Sequence, residues 1–251
     1  MIVCGIDCET TGLDIKKDRI TEIGAVLFDA SKNWAKLETM NFFVYEPDYA
    51  PLSEEIVQIT GITDEILKTQ GLPFSTVHSA LMRFTTGVGC FMAHNAAFDK
   101  GILDSECARQ GREKFDKDWI CTALDLKSNR QFKSWRLAHL ALDYGVTVNP
   151  KLLHRAVNDV ELMGQMLAEA KADVHSMIKF MLTPNIVVQA CIPAPWTDGG
   201  KGKEAAQKRG YFWERPKYSD ETFAKMWVKV LKEDEYEAEL KEAPFETKRI
   251  K

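Results

Sequence analysis

The chain lacks any apolar run long enough to span a bilayer, and no signal-peptide pattern precedes its first strand. No membrane association is therefore expected, and a cytoplasmic location is. It also lacks a C-x-x-C pair. Its six cysteines (Cys4, Cys8, Cys90, Cys107, Cys121 and Cys191) lie mostly in apolar runs, which favours buried reduced thiols over disulfides or a zinc site. Internal repeats are absent, and 45% hydrophobic content over 251 residues argues against disorder. Positive charge is in deficit. A net charge of −4 argues against strong non-specific nucleic-acid binding by the whole surface. The acidic excess lies in residues 1–180, whereas residues 181–251 are close to balance.

What is present begins with Ile2-Val3-Cys4-Gly5-Ile6-Asp7-Cys8-Glu9, a strand-like run that ends in two acids and Thr10-Thr11-Gly12-Leu13. Side chains alternate along a strand, so Gly5, Asp7 and Glu9 share one face and Ile2, Cys4, Ile6 and Cys8 the other. Asp7 and Glu9 then lie roughly 7 Å apart along the strand. Two uncompensated carboxylates at that distance in a partly buried site call for a positive charge. A divalent cation is one answer, and a solvated polar turn is the other.

Further strands are expected over residues 20–29 and 39–45, with Ser31-Lys32-Asn33 between them. Ser53-Glu54-Glu55 reads as a helix start, and Thr60-Gly61-Ile62-Thr63-Asp64 as an interruption. Val77, Leu81 and Phe84 mark an amphipathic helix, and Val88 to Ala93 a buried parallel strand. A helix is expected from the segment holding Asp99 to Gly111, then a short strand at Trp119-Ile120-Cys121. Two more helices follow, one with Leu137, Leu140 and Ala141, the other with Val160, Met163, Leu167 and Ala170. The order predicts a mixed α/β sheet with helices on both faces. Pro184, Pro193, Pro195 and Gly199-Gly200 mark a boundary, which gives a domain over residues 1–180 and a small C-terminal α+β extension over 181–251.

Asp99 is placed just past a strand end and Asp159 in the first turn of a helix, five residues after His154. Both positions lie where an α/β sheet opens its ligand crevice. The segments Asp7-Cys8-Glu9-Thr10-Thr11-Gly12, His94-Asn95-Ala96-Ala97-Phe98-Asp99 and His154-Arg155-Ala156-Val157-Asn158-Asp159 resemble, in order, the three motifs of the DEDDh (DnaQ-like) 3′→5′ exonucleases. The likeness spans about residues 1–175, and within the family it is nearest exodeoxyribonuclease X and the proofreading epsilon subunits. Gln58-Ile59-Thr60-Gly61-Ile62, Trp119-Ile120-Cys121-Thr122 and Trp135-x-Leu137-x-x-Leu140 agree with it.

The resemblance implies an RNase H-like fold with a mixed five-stranded sheet, and two Mg²⁺ or Mn²⁺ ions held by Asp7, Glu9, Asp99 and Asp159. It implies hydrolysis of DNA from the 3′ end, single-stranded or frayed, to nucleoside 5′-monophosphates. Partners would be DNA 3′ ends and a polymerase or other replication or repair protein. Hard oxygen ligands suit those ions, and His154 is the expected general base. Thr10, Thr11, Gly12 and Leu13 are expected to hold the terminal nucleotide, Gly12 by permitting close approach, with Asn95 and Phe98 lining the same groove. His94 is expected to be structural.

Lys127, Arg130, Lys133 and Arg136, with Phe132 and Trp135, are a candidate strip for the substrate backbone. In the tail, Trp196, Tyr211, Phe212, Trp213 and Trp227 interleave with Lys201, Lys203, Lys208, Arg209, Arg215 and Lys217, which suits single-strand binding or simply a small core. Residues 232–246 read as a solvated, salt-bridged helix. Three rival readings stand: an exoribonuclease with the same motifs, a weakly catalytic nucleic-acid or polymerase-binding module, and a glycosidase using Asp7 and Glu9 as its acid pair.

Overall fold

A computed structural model describes residues 1–126, 132–214 and 225–250, with the side chains of residues 195, 196 and 214 excepted. Contacts divide the chain into two compact units, Met1–Ile178 and Lys179–Lys251.

The first unit opens with β1 (Ile2–Thr10), β2 (Ile20–Asp29) and β3 (Ala35–Phe43), an antiparallel meander. The third strand starts at Ala35, before the expected residue 39. It is the sheet edge, and Ala35 to Thr39 are exposed, so no apolar alternation announces its first residues. Three helices follow: α1 (Glu54–Thr60), α2 (Asp64–Gln70) and α3 (Phe74–Phe84). Ser53 and Thr63 cap the first two by accepting from the amides of Ile56 and Ile66, which satisfies donors the helix leaves orphaned.

The chain then alternates through β4 (Cys90–Ala93), α4 (Ala96–Arg109) and β5 (Trp119–Cys121), and continues in α5 (Leu137–Asp143), α6 (Ala156–Glu169) and α7 (Val174–Leu182). Both later strands are parallel to β1, giving the order β3-β2-β1-β4-β5. Two apolar layers cover the sheet. Cys4, Ile6, Ile23 and Ala25 pack with Val77, Leu81, Ile102 and Leu103 on one side. Val3, Val26 and Phe28 pack with Val160, Met163 and Leu167 on the other. This is the mixed five-stranded α/β sheet with helices on both faces. No helix among the described residues is long and apolar enough to cross a membrane.

In the second unit, β6 (Asn185–Cys191), α8 (Pro195–Asp198), α9 (Lys201–Lys208), β7 (Phe212–Glu214), β8 (Met226–Lys232), α10 (Tyr236–Glu242) and β9 (Glu246–Arg249) form a sheet of order β7-β8-β6-β9 with helices. Its core is Ile186, Val188, Ala190, Ala206, Tyr211 and Leu231. The acidic stretch at 232–246 is not wholly solvated. Glu239 is buried and takes Arg209 through two hydrogen bonds of 2.9 Å, with Lys229 at 3.2 Å. Tyr211, grouped above with the nucleic-acid aromatics, belongs to the core and donates to Glu239.

Candidate active site

The site begins with a change of character along one sheet face. On β1 the residues facing α6 run Val3, Gly5, Asp7, Glu9, and their register partners on β2 run Phe28, Val26, Gly24, Glu22. Both strands pass from apolar at one end to acidic at the other. The start of α6 sits directly on β2, because a Cβ on Gly24 would lie 2.3 Å from the Val157 nitrogen and 2.4 Å from the Ala156 carbonyl carbon. Glycine is the side chain that fits there. That contact brings Asp159 down onto Asp7 and Glu9, and each of the three offers a carboxylate oxygen within 4.8 Å of the others.

Asp99 stands outside that three-acid group and beside it. The parallel pairing of β4 with β1 ends at Gly5 and Met92, leaving the rest of that β1 edge without a strand. Asp99, buried in the first turn of α4, accepts the Cys8 amide there at 3.0 Å. His154 is exposed, with φ +60°, and its own amide donates to Asp159 at 3.1 Å. Asp159 therefore ties down the turn that enters its own helix and faces the cluster as well.

Electrostatics follow from this crowding. Burial holds the Asp7 carboxyl well above the ordinary range, and Asp99, Glu9 and Asp159 add to it. Burial first, then Asp159 and Glu22, push Glu9 up to about 7, with Arg155 pulling the other way. Asp99 is likewise pushed up to about 7 by burial, against the Cys8 amide. Asp159 is raised by burial and drawn back by the His154 amide. Such shifts show carboxylates gathered with too little positive charge. The donor set is all oxygen, hard and anionic, and suits Mg²⁺ or Mn²⁺ more than a soft metal.

The turn after β1 is more self-contained than its sequence suggests. Thr10 donates to the Gly12 carbonyl at 2.6 Å, Thr11 donates to Asp18 at 2.9 Å, and the Thr11 amide bonds the Arg19 carbonyl. A Cβ on Gly12 would meet the Asp18 carboxylate at 2.6 Å, so any larger residue would have to displace the side chain that Thr11 and the Asp14 amide hold. Leu13 projects, 87% exposed. Asn95 is exposed in the left-handed region (φ +72°), and Phe98, half-buried, immediately precedes Asp99.

His94 lies 2.9 Å from the Thr122 hydroxyl and 2.7 Å from the Trp135 carbonyl, and burial lowers its pKa. It links β4 to the segment before α5. In the basic strip, Phe132 packs on Trp135 and Tyr144 against the core, while Lys133 and Arg136 are exposed. Lys127 and Arg130, like Arg215 and Lys217 in the tail, lie outside the described residues, as does the Trp196 side chain.

Comparison with known proteins fits this geometry. A family model described as an exonuclease (RNase T) matches residues 4–167. The chain belongs to the DnaQ-like exonuclease family. It is 36% identical over 177 residues to the DNA polymerase III subunit epsilon of Treponema pallidum, covering 67% of this chain and 78% of that one. It is 33% identical over 178 residues to the PolC-type DNA polymerase III of Listeria welshimeri, where it spans 12% of the relative's length. Among solved structures, E. coli exonuclease I in complex with a dA16 oligonucleotide superposes with a TM-score of 0.61 at 15% identity, over 92% of this chain and 63% of that one. The nuclease domain of 3′hExo, a DEDDh family member bound to rAMP, gives 0.55 at 15% identity, over 66% and 90%.

Two contributors to the site, Glu22 and Asp18, were missed in the sequence. Glu22 is fully buried and takes Arg155 through hydrogen bonds of 3.1 and 2.7 Å, together with the Ala156 amide at 3.3 Å and the Asn41 side chain at 2.8 Å. Asp18 organises the turn after β1. The available signal for Glu22 was an acid inside an apolar strand, two residues before a glycine on the same face.

Proposed function

We propose that this exonuclease hydrolyses DNA from the 3′ end, single-stranded or frayed, and releases nucleoside 5′-monophosphates. One observation carries the reading. Asp7, Glu9 and Asp159 bring carboxylate oxygens within 4.8 Å of one another, Asp99 borders them, and the turn bearing His154 is bonded to Asp159. Such a cluster would hold two Mg²⁺ or Mn²⁺ ions, with Asp7, Glu9 and Asp159 as the inner ligands and Asp99 at the edge. Ions bound there supply Lewis acidity to the phosphate and make water a stronger acid.

The remaining work falls to the chain. His154 accepts the proton of the attacking water on an imidazole nitrogen, from an exposed position at the crevice rim. Leu13 meets the terminal base with its projecting side chain, and Thr10, Thr11 and Gly12 hold the turn that places it. Asn95 and Phe98 border the same groove. DNA as substrate is supported by the polymerase III relatives and by the oligonucleotide named for exonuclease I. A polymerase or replication partner has the same support.

The C-terminal unit would bind single strand. Trp213 and Trp227 line a cleft of about 670 Å³ together with Ile192, Pro193, Lys203 and Gln207. An exposed Trp213 beside the half-buried Trp227, with Lys203 at the cleft, suits a stacked base and a phosphate.

RNA is the second reading, favoured by the rAMP bound to the 3′hExo domain. The deciding assay uses 5′-labelled single-stranded DNA and RNA of one sequence with Mg²⁺ and Mn²⁺. Shortening of the DNA from its 3′ end, faster than the RNA, is expected, and the reverse preference overturns the DNA assignment. Equal, negligible turnover by wild type and Asp7→Ala would favour a binding module instead.

A further inference from the structure

Glu22 lies outside the three-carboxylate group, yet it is the most enclosed acid beside it. Its side chain is 0% exposed, whereas that of its partner Arg155 is 38% exposed. A buried carboxylate with no partner is costly, so this one must be matched. The match is made by the residue that follows His154. Arg155 binds both Glu22 oxygens in a fork, its guanidinium lies 5.3 Å from the centre of the Phe43 ring, and the Ala156 amide adds a third bond to Glu22. Phe43 is the register partner of Glu22 across β2 and β3. One strand position therefore grips two consecutive residues of the segment entering α6.

That grip has something to resist. His154 takes φ +60°, a region uncommon for any residue but glycine, although asparagine, aspartate and histidine enter it more often than most, and a conformation of that kind is held in place by its surroundings. On one side of the strained residue is the bond from its amide to Asp159; on the other are Arg155 and Ala156, both held by Glu22. The Gly24 contact fixes the same turn from below.

We propose that Glu22 and Arg155 are a positioning pair that holds the backbone of His154 over the carboxylate cluster. Neither touches the reacting atoms; both act through His154. Arg155 also eases the repulsion between Glu22 and Glu9, which face each other across β1 and β2. The role deepens the nuclease reading and rests on it for its catalytic readout.

The test compares Glu22→Gln, which keeps the shape and removes the charge, with Arg155→Lys, which keeps the charge and removes the fork. Each is made in the wild-type and the His154→Ala backgrounds. Glu22→Gln is expected to lower kcat by about 10–100-fold with KM within about threefold, the usual range for groups that orient a metal site from behind. On His154→Ala it should cost less than about twofold more, because the residue it positions is already gone. Hydrogen exchange of the peptide covering residues 152–158 should speed up in both variants, with the Mn²⁺ titration midpoint little changed. Equal losses on both backgrounds overturn the proposal, since a purely structural role would cost the same with or without His154. Unchanged exchange in both variants also overturns it. If Glu22→Gln does not fold, Arg155→Lys carries the same comparison. A wild-type protein inert on DNA and RNA would defeat the nuclease reading, and hydrogen exchange would then decide the positioning role by itself.

Discussion

Glu239 in the C-terminal unit and Glu9 in the N-terminal one are both acids drawn out of water, and their surroundings push them in opposite directions. Glu239 is met by Arg209, then Lys229, and is held down at about 2. Glu9 is surrounded by burial and other acids, with Arg155 as a partial counterweight, and rises to about 7. A third acid sharpens the contrast. Glu106 on α4 is fully buried and has two arginines of its own, Arg19 and Arg109. Acids that serve the fold bring their cations with them, because an unmatched buried charge is too costly to keep. The cluster at Asp7, Glu9, Asp99 and Asp159 departs from that habit, and its hard oxygen donors suit a divalent cation.

The largest test of this contrast removes one acid from each group. Asp7→Asn should cost roughly a thousandfold or more in nuclease turnover, about 4 kcal/mol of transition-state stabilisation. The same variant, stripped of metal at pH 8, should melt higher than wild type because repulsion is relieved. A lower melting temperature would break the comparison. Next in size, His154→Ala should lower turnover by about 10²–10⁴-fold. Its Mn²⁺ titration midpoint should stay within about threefold of wild type. A loss of metal affinity equal to that of Asp159→Ala would remove His154 from the role of base.

A smaller effect is expected from pH. Glu9 and Asp99 have folded values near 7, against ordinary values of 4.5 and 3.8. Between those limits the folded state binds more protons than the unfolded one, so stability of the metal-free protein falls as pH rises from about 4 through 7. Mg²⁺ or Mn²⁺ at roughly 100 times its dissociation constant should restore about 2.7 kcal/mol at pH 8, and far less at pH 5, where protons compete. Thermal melts at the two pH values, with and without metal, measure this directly. On the other side of the contrast, Glu239→Gln should destabilise the C-terminal unit by about 2–3 kcal/mol, by taking the carboxylate from Lys229 and leaving Arg209 to the more exposed Glu242. Denaturation followed by tryptophan fluorescence would show it, while Mn²⁺ affinity should be unchanged.

Trp213→Ala is the mildest change. It should weaken single-strand binding by about tenfold if one base stacks there. Unchanged affinity in a filter-binding or anisotropy measurement would return the cleft to a core role.

Much of this was legible in the residues. Alternation along Ile2 to Glu9 placed two carboxylates on one face, and the spacing of Val160, Met163 and Leu167 placed α6 on the sheet, because both patterns follow from local backbone geometry. The start of β3 was not legible, since an exposed edge strand is held by backbone bonds that leave no mark on side-chain order. Gly12 was legible as special, but its packing against the Asp18 carboxylate was not. By itself the sequence determined most elements of the first unit, the helices on both faces of its sheet and which acids carry the family's motifs. Only the tertiary structure decided that Asp99 stands beside the inner three acids, and that Glu22 on a different strand grips the turn of His154. Those outcomes depend on the distance between chain segments far apart in sequence, which no local pattern encodes.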